Sequence, residues 1–328
     1  MIFKITITLS ETDGWIDVFF SNPERLIMEN LFKSTSANWA RYDKYEYRQN
    51  ADGILYLTPC EDATMSLYNP IKAYEQLVLD ALSIGLDILQ KKGTEENIKK
   101  RVLEFVNKYG LLGLMTALPT TPDFITYDAV YLPKNHFIKE ESMSTQEYLS
   151  YFFPFEKIAF HKRGRESTWS AEGVEMFALT VVMKDKPQAV LMSFQKEYAE
   201  RYDWITTIFS DWAFTFVTSF LYYQDFDELD EASKNVYRKG MECFGGIAPT
   251  YHIALLDKPT IVWEFNSLLL AIQMMFSFML TDESSTIKLC KHCNKIFVAS
   301  RPNVQFCSPQ CKNQYNVYKS RAKDKDCD

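Results

Sequence analysis

A chain of 328 residues, 47% apolar and 24% charged, can bury a sizeable core and is neither disordered nor fibrous in composition. Aromatic residues make up 15% of it, which points to large rings in helix–helix contacts. The formal charge of −7 is spread unevenly, with basic residues gathered near the C-terminal end.

The opening stretch MIFKITITLSETDG has one lysine and no small-residue cleavage site. It is expected to be a first strand rather than a secretory leader, which puts the chain in the cytoplasm. WIDVFF after Thr-Asp-Gly and ILYLTP after Asp-Gly complete the signals of a small N-terminal antiparallel sheet. From Asn69 the period changes. PIKAYEQLVLDALSIGLDILQKK predicts a helix entered at Pro70 and left at Gly93, and TEENIKKRVLEFVNKYG predicts a second one capped by Thr94. LLGLMTALPTTPDF runs into two prolines. YDAVYLP predicts a strand, Ser144 is placed to cap TQEYLSYFF, and FHKRGRES predicts a basic loop. Helical periods follow in SAEGVEMFALTVVMK, in the long run from Gln188 to Gln224, in DELDEASKNVYRKGMECFGG, and in TIVWEFNSLLLAIQMMFSFMLT.

Two apolar runs need comparison with membrane spans. ITTIFSDWAFTFVTSFLYY contains Asp211, and SLLLAIQMMFSFML is shorter than the roughly 20 apolar residues a span requires. Both predict helices buried in a protein core, and no membrane partner is expected.

The segment LCKHCNKIFVASRPNVQFCSPQCKNQY holds four of the seven cysteines. Cys290-x2-Cys293 and Cys307-x3-Cys311, 13 residues apart, are two close pairs that can turn four thiolates onto one tetrahedral zinc ion. In a reducing compartment such a cluster points to metal rather than to disulfides. KIFVA and VQF flank Ser-Arg-Pro-Asn and are expected to pair as a hairpin. Ser308 and Pro309 then start a helix with Cys311 in its first turn. Knuckle, hairpin and ligand-bearing helix make a treble-clef arrangement. His292, adjacent to Cys293, is not expected to be a ligand, and Cys60, Cys243 and Cys327 are expected to be ordinary thiols.

The stretch CKHCNKIFVASRPNVQFCSPQCKNQYNVYKSRAK resembles the CGNR-type zinc finger at the C-terminus of bacterial transcription regulators, where it follows a mostly helical domain. The resemblance covers about 40 residues. Where that family carries Cys-Gly-Asn-Arg, this chain has Cys311-Lys312-Asn313-Gln314. The resemblance implies one structural zinc and a DNA-binding role.

Charge agrees with that implication. Residues 286–328 hold nine Lys or Arg and three Asp, a net of +6, which leaves −13 on residues 1–285. On the C-terminal helix Cys311, Tyr315, Tyr318 and Ala322 share one stripe, expected to be a core face packed on the hairpin, while Lys312, Asn316, Lys319 and Lys323 share the next, a basic and amide-bearing face. Arg301, Lys312, Asn313, Asn316, Lys319, Arg321 and Lys323 are therefore the candidate nucleic-acid contacts, the cations for phosphates and the amides for base edges. A homodimer would present paired basic helices to a palindromic site.

No G-x-S-x-G, phosphate-cradling glycine loop or H-E-x-x-H is present, and a four-cysteine zinc is closed to substrate, so no catalytic residue and no enzyme activity are expected. His161 with its basic neighbours, lone His136 and His252, and the acidic run from Asp225 to Glu231 all predict solvated or structural roles.

The expected architecture is α+β, mainly α: strands and helices over 1–125, a helical body over 126–285 and a zinc finger over 286–328. The expected function is a DNA-binding transcription regulator whose helical body senses a ligand or partner. The alternative is an interaction or defence-type protein whose zinc tail is structural or docks on protein.

Overall fold

The computed structural model describes residues 39–118, 127–155, 195–225, 227–242, 250–255, 258–264, 267–281, 287–299, 301 and 303–325. The strands expected before residue 39, the basic loop at 160–167, the helix at 170–184, and Cys243 and Cys327 lie outside them.

Strand β1 (Trp39–Tyr42) pairs antiparallel with β4 (Met65–Tyr68), and β2 (Tyr45–Gln49) pairs antiparallel with β3 (Leu55–Pro59). Asn50 and Gly53 close the β2–β3 turn. The Asn50 side chain accepts the N–H groups of Asp52 and Ile54, and Gly53 takes a φ of +78° that few side chains tolerate.

A 3-10 turn at Pro70–Ala73 leads into α1 (Tyr74–Leu89). Helix α2 (Glu95–Tyr109) starts where its sequence says, with the Thr94 hydroxyl accepting the Asn97 N–H at 3.2 Å, and ends at Gly110 with φ +89°. A short helix α3 (Leu114–Ala117) follows. Beyond it lie β5 (Ala129–Tyr131), its antiparallel partner β6 (Ser142–Ser144), and α4 (Thr145–Ser150), capped by Ser144.

The run from Gln188 was expected to be helical throughout, but Gln195–Ala199 form a turn and Glu200–Arg201 form strand β7, added antiparallel to β3. Long-range bonds outweigh local helix propensity here. Ala199 N–H donates to Phe152 C=O at 2.8 Å, and Glu200 is engaged far along the chain. Helix α5 (Tyr202–Asp225) begins only after these bonds, with Asp211 exposed on its surface.

Helix α6 (Glu231–Glu242) is capped by Asp230, which accepts the Ser233 N–H, so the acidic run does begin a water-facing helix. A second correction concerns Thr260–Glu264, expected to be helical. They belong to strand β9 (Pro259–Glu264), paired antiparallel with β8 (Thr250–Leu255), because the β-branched Thr260, Ile261 and Val262 suit a pleated strand. Helix α7 (Leu268–Thr281) starts at Ser267, whose hydroxyl accepts the Leu270 N–H. Among the described residues no helix is long and apolar enough to cross a membrane.

The core lies where α1 meets α5, with α2, α7 and the N-terminal strands around them. The two helices come so close that a Cβ on Gly85 would stand 1.8 Å from the Phe209 carbonyl oxygen, a spacing only glycine permits. Phe105 and Phe209, with ring centroids 4.9 Å apart, tie α2 to α5. The architecture is α+β and mainly α, with small antiparallel sheets.

One buried charge organises the centre. The carboxylate of Glu200, wholly buried, accepts the backbone N–H groups of Leu112 at 2.8 Å, Gly113 at 2.6 Å and Leu114 at 2.8 Å, and the Tyr198 hydroxyl at 2.7 Å. Burial raises its pKa above the ordinary carboxylate range, and these four donors oppose the rise.

Candidate metal centre

Strand β10 (Ile287–Leu289) pairs antiparallel with β11 (Ile296–Val298), and the turn between them is the Cys290–Cys293 knuckle itself. This corrects the expected pairing of KIFVA with VQF. The knuckle closes as a tight turn: Cys290 N–H donates to Lys295 C=O, Asn294 N–H donates to Cys290 C=O, both at 2.9 Å, and Asn294 takes the left-handed φ of +56° that asparagine tolerates. The later segment still returns to the knuckle, because Lys291 N–H donates to Gln305 C=O at 3.0 Å. Arg301 sits exposed in the intervening turn, closed by a bond from Val304 N–H to its carbonyl.

Helix α8 (Pro309–Lys325) begins as the sequence predicts, with the Ser308 hydroxyl accepting the Cys311 N–H at 3.2 Å. Phe306 and Tyr315, their ring centroids 5.2 Å apart, fasten the loop to the helix. The hairpin is anchored in turn to the rest of the protein. Ile287 is part of the buried core, Leu289, Ile296 and Val298 pack against it, and β11 lies on α1.

These elements bring together the four predicted cysteines. The sulfurs of Cys290, Cys293, Cys307 and Cys311 all lie within 4.8 Å of one another. Cys307 Sγ is 3.6 Å from Cys293 Sγ and 3.5 Å from Cys311 Sγ. Four thiolates placed tetrahedrally about zinc at about 2.3 Å stand about 3.8 Å apart, so the set fits such an ion. All four are free thiols, at separations far above the roughly 2.05 Å of a disulfide.

The electrostatics fit a cation as well. Burial works against ionising Cys290, yet the amide N–H groups of Cys293, Cys307 and His292 directed at its sulfur bring the thiol down to about 6. Desolvation, reinforced by S–H bonds among the neighbouring cysteines, pushes Cys307 up to about 12, and desolvation raises Cys293 too. Cys290 is thus favoured as an anion while Cys293 and Cys307 resist ionising beside it, a conflict that a central dication would relieve. The positive end of the α8 dipole lies at Cys311 and favours the same negative charge.

Lys312, Asn313, Asn316, Lys319 and Arg321 are all exposed on α8, and Lys323 lies in its last turns, with its side chain outside the described residues. His292 does not join the cysteines; its ring stacks on Tyr318, centroids 5.7 Å apart and planes 15° from parallel. The expected core stripe is therefore only partly formed: Tyr315 is half-buried against Phe306, but Tyr318, one turn further on, is 60% exposed because the finger is too small to reach it.

Compared with models of known protein families, with curated proteins and with solved structures, the chain matches none.

Proposed function

We propose that Cys290, Cys293, Cys307 and Cys311 hold one structural zinc ion, forming a treble-clef finger of the CGNR type that binds DNA through α8. The single observation that carries the metal is the separation of the sulfurs, 3.5 and 3.6 Å for the two closest pairs. Zinc supplies the fold of a unit too small to bury enough apolar surface by itself. Four thiolates leave no position for substrate, so the centre is structural and the protein is read as non-enzymatic.

The DNA reading rests on the exposure of Arg301, Lys312, Lys319 and Arg321 and of the amides of Asn313 and Asn316, on a module whose side chains sum to +6 and which stays basic, near +4, once a zinc dication and four thiolates add −2. The resemblance of the finger to those of bacterial regulators supports it. In this reading the aromatic body, over residues 126–285, senses a ligand or partner in the cytoplasm, and a homodimer places two basic helices on one duplex.

A second reading is favoured by the burial of Ile287 and the seating of β11 on α1. There the finger is a cap on the body, in an interaction or defence-type protein whose tail docks on another protein. A gel-shift titration of the full chain across a salt series separates the two. Binding through α8 predicts that Lys312→Glu, Lys319→Glu and Lys323→Glu together abolish a salt-sensitive shift while zinc content is unchanged, with the salt slope falling by about 0.9 per lost phosphate contact. A shift that survives the triple change, or no shift by the unaltered chain, leaves the cap reading.

A further inference from the structure

The outer part of α8 has no core to serve. Every described side chain from Asn316 to Arg321 is exposed, although the segment carries Val317 at 47% and Tyr318 at 60% exposure. A helix left open all round is stabilised by pairs along its own surface or by something that covers it. Tyr318 is the most singular residue of that surface. His292, held in the metal knuckle, lies nearly parallel against one face of its ring, so the ring's large exposure belongs to its opposite face and edge.

The ring is therefore braced on one face by a residue that belongs to the cysteine module. Lys291 stands exposed beside His292, and Gln314 and Arg321, four residues before and three after Tyr318, neighbour it on the helix. An exposed aromatic face among cations is the composition of a surface that stacks unpaired bases and holds their phosphates. Duplex edges are read by amides and guanidinium groups in the groove and give such a ring no role.

Resting on the proposed DNA reading, we infer that the His292–Tyr318 stack is a platform for an unpaired base, so that this face of α8 holds single-stranded DNA in addition to the duplex met by the lysine stripe. The base extends the two-ring stack, and the phosphates on either side meet Lys291 and Arg321.

The test uses the full, zinc-loaded chain and fluorescence anisotropy with a labelled oligothymidylate, the matching duplex and an oligouridylate. Tyr318→Ala is expected to weaken oligothymidylate binding by about 5- to 150-fold, the range for loss of one stacked base, with duplex binding changed less than about twofold. Tyr318→Phe retains the ring and is expected to bind as the unaltered chain does. His292→Ala is expected to give a smaller loss of the same selectivity. Zinc content, measured on each variant, separates loss of the platform from loss of the module.

Equal weakening on single strand and duplex, or none on either, overturns the platform while leaving DNA binding in place. Preference for oligouridylate over oligothymidylate overturns the assignment to DNA. Absence of binding to every probe by the unaltered chain overturns the DNA reading as well.

Discussion

The loop at residues 110–113 and the cysteine segment at 290–311 are both gathered round a knot of polar atoms, and the two are gathered from opposite directions. At the first, an anion sits inside. The Glu200 carboxylate draws in three successive amides from far along the chain, 87 residues away for Gly113, beside the phenol of Tyr198 two residues before it, so the finished fold supplies the amide partners. At the second, the sulfurs come from one short stretch and face one another, in an arrangement that could hold a metal ion. An anchor of the first kind belongs to the cooperative core; one of the second kind makes local structure conditional on something taken from solution.

That contrast is easiest to break at the metal. Treatment with a strong chelator should release α8 from protection, since metal binding supplies about 10–16 kcal/mol in zinc-finger peptides. Amide exchange over residues 309–321 should accelerate by several orders of magnitude while α1 and α5 keep their protection. Uniform loss of protection would show that the hairpin anchored through Ile287 carries the core with it.

The internal anchor should respond to substitution instead. Glu200→Ala leaves three buried N–H groups and the Tyr198 hydroxyl without their acceptor, and a loss of about 3–5 kcal/mol in urea unfolding is expected, with zinc content unchanged. Glu200→Gln retains one good acceptor and should cost about half as much. Gly113→Ala tests the loop from its other side. With φ at +75° and the Trp39 ring 2.6 Å from an added Cβ, it should cost about 1–3 kcal/mol. Thr94→Ala removes a single cap and should cost about 1 kcal/mol, setting the scale for a local bond against which both anchors are judged.

The two anchors also differ in how far the sequence shows them. Caps at Thr94, Ser144 and Ser308 were legible because a hydroxyl and the amide three residues on are a local pair. The four cysteines were legible for the same reason, since ligand spacing is local chemistry. Glu200 looked like one more polar residue in a helical run, because nothing near it announces Leu112 or Gly113 as partners. The same non-local bonds turned Gln195–Arg201 out of the expected helix. In the finger the wrong hairpin was expected because apolar runs show that a strand exists and not which strand it meets. Asn294 in its left-handed conformation decided that choice by closing the knuckle back onto β10.

Metal content tests the central claim most directly. Elemental analysis of the purified chain, paired with titration by a thiol reagent before and after chelation, is predicted to find one zinc per chain and four thiols that become reactive only once the metal is removed. A metal-free chain whose four clustered cysteines react at once, with α8 still protected from exchange, would contradict it.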